Sequence, residues 1–132
     1  IFRGTGHHDD LDNHVFNRPL AAGSGDSELE ETILDFALLA HRFDPDMIFI
    51  AMGADGHESD PLSSLTYTIE GMVNAVRLVR QTFRNTAILL GGAGGYQPDT
   101  ITPEAWARMA IAAVPEVAEQ EFVSPHGKKV TD

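Results

Sequence analysis

The chain has 132 residues, 42% hydrophobic and 22% charged, with a formal net charge of -11 and no cysteine. Those values suit one folded globular domain, or part of one, and leave no room for a disulfide framework or a thiolate metal site. No stretch approaches the ~20 apolar residues needed to span a bilayer, and the acidic balance disfavours nucleic acid, so a protein of the cytoplasm acting on a neutral or cationic small substrate is the plain expectation.

The chain opens Ile1-Phe2-Arg3-Gly4, with neither an initiator Met nor a signal peptide, and is expected to be a piece of something longer. Residues 1–16 read as a polar loop. His7, His8, Asp9, Asp10, Asp12 and His14 are metal-ligand types, but no strand or helix supports them, and a solvated loop is the better reading. Ser27-Glu-Leu-Glu30 has the form of a capping box, and Leu29, Ile33, Phe36, Ala37 and Ala40 follow at helical spacing, which predicts a helix over 27–42. Pro45 breaks it. Residues 46–52 are a continuous apolar run of strand length, as in a central parallel strand covered on both faces.

Residues 53–65 read as a long polar loop. Thr68 caps a second predicted helix with Ile69, Met72, Val73, Val76, Val79 and Phe83 inward, ending near Arg84 and Asn85. A strand follows from Thr86 to Leu90, and a right-handed crossover makes it parallel to the first, with both C-terminal ends on one side. A glycine-rich turn runs from Gly91 to Tyr96. Thr102 and Pro103 are read as the cap and first turn of a third helix through Trp106, Met109 and Ala113, which Pro115 ends. Residues 119–132 read as a flexible tail.

Chemistry is expected at the strand tips. Asp55 follows a buried strand, so its carboxylate either caps the loop or is paired, metal-bound or raised in pKa. His57 is read as a loop histidine oriented by a hydrogen bond rather than a second ligand. Asp60, before Pro61, is read as a turn-former accepting backbone N–H groups. The glycines between Gly91 and Gly95 lack the Lys and Ser/Thr of a phosphate loop, and a tight wrap that aims Tyr96 into a narrow pocket is the stronger account of them. A tyrosine so placed would meet a substrate carbonyl.

Taken in order, these segments resemble the zinc-dependent histone deacetylase family, including the bacterial acetoin-utilization and acetylpolyamine amidohydrolase proteins. The resemblance rests on Asn17-Arg-Pro-Leu-Ala-Ala-Gly-Ser-Gly-Asp26, Phe43-Asp-Pro-Asp-Met-Ile48, Gly53-Ala-Asp-Gly-His-Glu-Ser-Asp-Pro-Leu62, Leu65-Thr-Tyr-Thr-Ile-Glu-Gly71 and Leu90-Gly-Gly-Ala-Gly-Gly-Tyr96. It implies an α/β fold of the arginase and deacetylase type, a three-layer parallel sheet with helices on both faces, of which residues 1–132 are the C-terminal half. It also implies Asp55 as a zinc ligand, Tyr96 as the catalytic tyrosine that hydrogen-bonds the amide oxygen, and Leu62, Gly94 and Gly95 along the acyl-lysine channel. The remaining zinc ligands and the paired catalytic histidines are expected upstream of Ile1. The expected function is a portion of a zinc-dependent deacetylase of acetyl-lysine or acetylpolyamine type, inactive by itself. A non-catalytic module that associates through an open sheet edge is the alternative, and a nucleotide-binding half-domain a weaker third.

Overall fold

The structure, a computed structural model, describes residues 6–115. The expected tail over 119–132, and the first five residues, lie outside the described residues. Five elements follow one another: α1 (Asp26–His41), β1 (Met47–Met52), α2 (Ile69–Thr82), β2 (Ala87–Gly92) and α3 (Ile101–Ala112). The two strands pair in parallel from Met47 opposite Ala87 to Met52 opposite Gly92, so both C-terminal ends emerge side by side. No helix among the described residues is long and apolar enough to cross a membrane.

The core lies on one face of this sheet. Ile50, Met52 and Leu90 pack against Met72, Val73 and Val76 of α2 and Ala105, Trp106 and Met109 of α3, with Leu29 of α1 closing the side. The 3.6-residue spacing of apolar positions on α2 turns Met72, Val73 and Val76 inward together, and each is at most 5% exposed. On the opposite face Met47, Phe49 and Leu89 are 60%, 62% and 55% exposed. The strand period of two sends alternate side chains to opposite faces. Helices therefore cover one face, and the second helical layer of the three-layer expectation is not among the described residues.

β2 is longer than the sequence predicts. It runs on through Gly91 and Gly92, because each lacks a Cβ where a large ring already sits. A Cβ on Gly91 would stand 2.9 Å from Phe49 Cζ, and one on Gly92 would stand 3.0 Å from Trp106 Cη2. Two of the glycines assigned to the turn thus belong to the ladder, and the turn itself begins at Ala93.

The helix starts also shift. Gly25, not Ser27, is the N-cap of α1, and its N–H donates to Glu28 Oε2 at 2.8 Å, which holds the Glu28 carboxyl below the usual range. Asp26 is thereby free to reach α2: its carboxylate accepts from Thr68 N at 2.8 Å and Thr68 Oγ1 at 2.6 Å. Thr68 in turn caps α2 as expected, with Oγ1 accepting from Gly71 N at 3.0 Å. Negative charge there also complements the helix dipole. Thr100, not Thr102, is the N-cap of α3; Thr102 is buried and its hydroxyl accepts from Gln97 N at 3.3 Å.

At the far end of the sheet one half-buried guanidinium joins three elements. Arg80 Nε donates to Ala113 O at 2.8 Å, and Nη1 donates to the carbonyls of Phe83, Arg84 and Thr86. These carbonyls belong to the ends of α2 and α3 and the entry of β2. Before α1, Asp10 and Val15 form an isolated antiparallel bridge, and Asp10 accepts from the Asn13 side chain at 2.8 Å, which lowers its pKa. Asp9 accepts from Asn17 N at 2.6 Å and pairs with Arg18. Arg18 also pairs with Asp35 at 3.0 Å and lies over the Phe36 ring, tying this segment to α1.

Candidate active site

Parallel pairing brings the two strand exits together, and Ala54 N donates to Gly94 O at 2.6 Å just beyond the last ladder pair. Asp55 sits in this join. A Cβ on Gly53 would stand 2.6 Å from Asp55 Oδ1, and one on Gly94 would overlap Oδ2. Glycine on both sides therefore makes the space that the carboxylate occupies. Asp55 is half-buried and accepts no hydrogen bond among the described residues.

The loop after Asp55 is tightly built. His57 is buried at 7% exposure, and its Nδ1 accepts from Ser59 N at 3.1 Å, which is the oriented loop histidine expected from the sequence. Its backbone pairs with Tyr67, with Tyr67 N donating to Gly56 O and Glu58 N to Tyr67 O, each at 3.0 Å. The Tyr67 ring fills the space beside Gly56 and is itself buried. That burial pushes its hydroxyl pKa up from 10.0, and the charges of Glu28 and Asp26 add to the shift.

Asp60 does more than form a turn. Its Oδ1 accepts from Leu62 N at 2.9 Å, the expected local contact, while Oδ2 accepts from Tyr96 N at 2.9 Å across the site. The Gln97 side chain also donates to Ser59 O. Gly95 completes the turn at φ +150, packed against Thr102 and Ala54. Tyr96 is held by its backbone and points its ring outward, 52% exposed.

A groove of about 610 Å³ opens beside Asp55, lined by Leu62, Leu65, Tyr67, Arg18, Asn17 and His7 among others. Asp55 and Leu62 thus share one groove. Gly94 touches the Asp55 carboxylate from behind, Gly95 faces Thr102, and neither these glycines nor Tyr96 line the groove. Among the described residues no group of three or more His, Cys, Asp or Glu converges to hold a metal ion. Asp55 fits a metal as a single donor, whereas a catalytic zinc takes three protein ligands.

The sequence matches the histone deacetylase domain over residues 1–113. The chain belongs to the histone deacetylase family. It is 34% identical over 119 residues to the acetoin utilization protein AcuC of Bacillus subtilis (strain 168), covering 83% of this chain and 30% of that protein. It is 26% identical over 132 residues to AcuC of Staphylococcus aureus (strain MRSA252), covering 93% of this chain and 34% of the other. The chain therefore spans about a third of the length of these relatives. Its fold superposes on the crystal structure of the HDA15 HD domain with a TM-score of 0.66 and 24% identity, covering 88% of this chain and 35% of that one. The deacetylase-type α/β fold expected from the motifs is what this superposition shows.

The cross-site bond of Asp60, the buried Tyr67 and the Asp26 brace were not foreseen. Local turn geometry accounts for one Asp60 oxygen; only the second oxygen, unused within the turn, hinted at a distant partner.

Proposed function

We propose that this chain supplies part of the catalytic wall of a zinc-dependent deacetylase acting on an acetylated amine of the acetyl-lysine or acetylpolyamine type. The observation that carries the reading is the seat of Asp55: a carboxylate with no hydrogen-bond partner among the described residues, cradled by Gly53 and Gly94 and bordering a groove, on a loop whose Asp60 is bonded to the turn that bears Tyr96. Asp55 would donate one oxygen ligand to the metal, with the other ligands coming from residues beyond these 132. When bound, zinc supplies Lewis-acid activation of water.

The roles of this chain's own residues follow from charge development. Tyr96 donates its hydroxyl proton as a hydrogen bond to the carbonyl oxygen as that oxygen gains negative charge, and its exposed position leaves room for substrate beside it. Leu62 gives the groove an apolar wall for an acyl-lysine stem, and Gly94, which abuts the Asp55 carboxylate from outside the groove, leaves that carboxylate its seat. A lone carboxylate does not close a zinc site, so the 132-residue chain by itself binds zinc weakly and turns over negligibly. The test is acetyl-lysine and acetylpolyamine hydrolysis by a longer active protein that carries this chain. Activity unchanged by both Asp55→Asn and Tyr96→Phe would overturn the reading.

A second reading has its own observation. Among the described residues each strand pairs on one side only, and Met47, Phe49 and Leu89 are exposed on the uncovered face, which suits a non-catalytic module that associates through its sheet. Turnover separates the two: acetyl-lysine or acetylpolyamine hydrolysis that depends on Asp55 and Tyr96 in a longer protein carrying this chain is incompatible with this second reading.

A further inference from the structure

We propose that Asp60 is a positioning residue for the reaction: its buried carboxylate sets the place of Tyr96 relative to Asp55 by holding the Tyr96 main chain. The inference rests on the reading of Tyr96 as the oxyanion donor. Asp60 is 7% exposed and accepts from two backbone N–H groups that belong to different segments, Leu62 on its own loop and Tyr96 on the turn beyond β2. Both distances are 2.9 Å, and each donor takes a separate oxygen. Charge-assisted bonds of this kind are the stronger sort, and a buried carboxylate has no water to turn to if one of them is lost.

The geometry explains why a carboxylate occupies the position. An amide side chain has one oxygen and one NH2 group, so in Asp60→Asn one of the two backbone N–H groups would face another donor. The Ala54 N to Gly94 O bond and the Gln97 side chain fix the turn on either side of the Tyr96 amide, which leaves Asp60 as the contact at the tyrosine itself. The Tyr96 ring has no hydrogen bond among the described residues, so its aim is inherited from its backbone. Asp55 lies on the Gly53 and Gly94 side of the same loop and takes no part in these bonds. A lost Asp60 contact should therefore disturb the tyrosine and spare the metal ligand.

The deciding experiment is a double-mutant cycle in the longer active protein that carries this chain, using an acetyl-lysine peptide and reading kcat, KM and bound zinc. Asp60→Asn is expected to lower kcat roughly 10- to 100-fold with KM and zinc content nearly unchanged, as for a small misplacement of a catalytic group. In a Tyr96→Phe background the same substitution is expected to lower kcat by less than about threefold, because the group being positioned is already gone. Equal losses in both backgrounds, or loss of zinc in step with activity, overturn the proposal and assign Asp60 a role in general loop integrity. Should Asp60→Asn fail to fold, Asp60→Glu keeps the charge while displacing the acceptors, and wild-type kcat in that variant also overturns it. Hydrogen exchange of the Tyr96 amide separates this idea from the reading beneath it. Faster exchange in Asp60→Asn, with activity indifferent to Tyr96→Phe, would leave the anchor standing and remove the role of Tyr96 in the reaction.

Discussion

The two strand tips are built on different plans. Beyond β1 the chain organises itself: His57 and Asp60 are buried, their side chains bond neighbours two residues on, and the loop rests on the Tyr67 ring. Beyond β2 the order is borrowed, since the carbonyl of Gly94, the amide of Tyr96 and the side chain of Gln97 all bond to the first loop. The first tip presents a carboxylate in a fixed seat, and the second presents a phenol on a steadied backbone with its ring 52% exposed. A disturbance of the first loop should therefore reach the second, while a change in the Tyr96 ring should stay where it is.

The sharpest probe of this asymmetry compares the two side chains to which the proposed function gives roles. Asp55→Asn is expected to reduce deacetylation by the longer active protein to background and to deplete its zinc, whereas Tyr96→Phe should cost roughly 10²–10³ in kcat and leave zinc in place. Kinetics paired with metal analysis reads both. If Tyr96→Phe also lost zinc, the tips would not be separable in this way.

Gly94→Ala crosses from one tip to the other. Its new Cβ would overlap the Asp55 carboxylate, so the variant should lose zinc although the altered residue lies on the turn beyond β2, and should be destabilised by roughly 1–3 kcal/mol in denaturant unfolding. Retained zinc and stability would mean that the carboxylate can move aside.

Thr68→Ala tests the support beneath the first loop. It removes the α2 cap and one of the two bonds from Asp26, with an expected loss of about 1 kcal/mol in the same unfolding measurement.

The smallest effect is a pH dependence. Burial keeps Tyr67 neutral in the folded state at pH values where the unfolded chain ionises near pH 10.0. The unfolded state then binds fewer protons than the folded one, so stability is intact below pH 10 and declines as pH rises toward the raised folded value. Tyr67→Phe should show less of this decline, and an identical alkaline profile would show that the hydroxyl is solvated after all.

What the sequence discloses follows the range of the forces involved. The apolar run of β1 and the 3.6-residue period of α2 are local signals, and both elements stand where those signals put them. The helix starts moved because Ser27 and Thr102 are good caps in isolation, while Gly25 is served by Glu28 and Thr102 is drawn into contact with Gln97 and Gly95. β2 outran its expected end because the fitness of Gly91 and Gly92 for a strand depends on Phe49 and Trp106, far away in the chain. The Asp55 seat was half legible: a carboxylate at a strand exit is visible in the sequence, but its contact with Gly94 requires the register of two strands. The Asp60 bond to Tyr96 spans 36 residues, beyond any turn rule.

Arg80 lies away from the strand tips and bears on how the molecule comes apart. Because one guanidinium gathers the carbonyls of Phe83, Arg84, Thr86 and Ala113, opening the end of α2, the end of α3 or the start of β2 breaks a bond to the group that holds the other two. Those three segments are expected to open together in hydrogen exchange, held by a rivet at the base of the sheet while the opposite rim is assembled from loops.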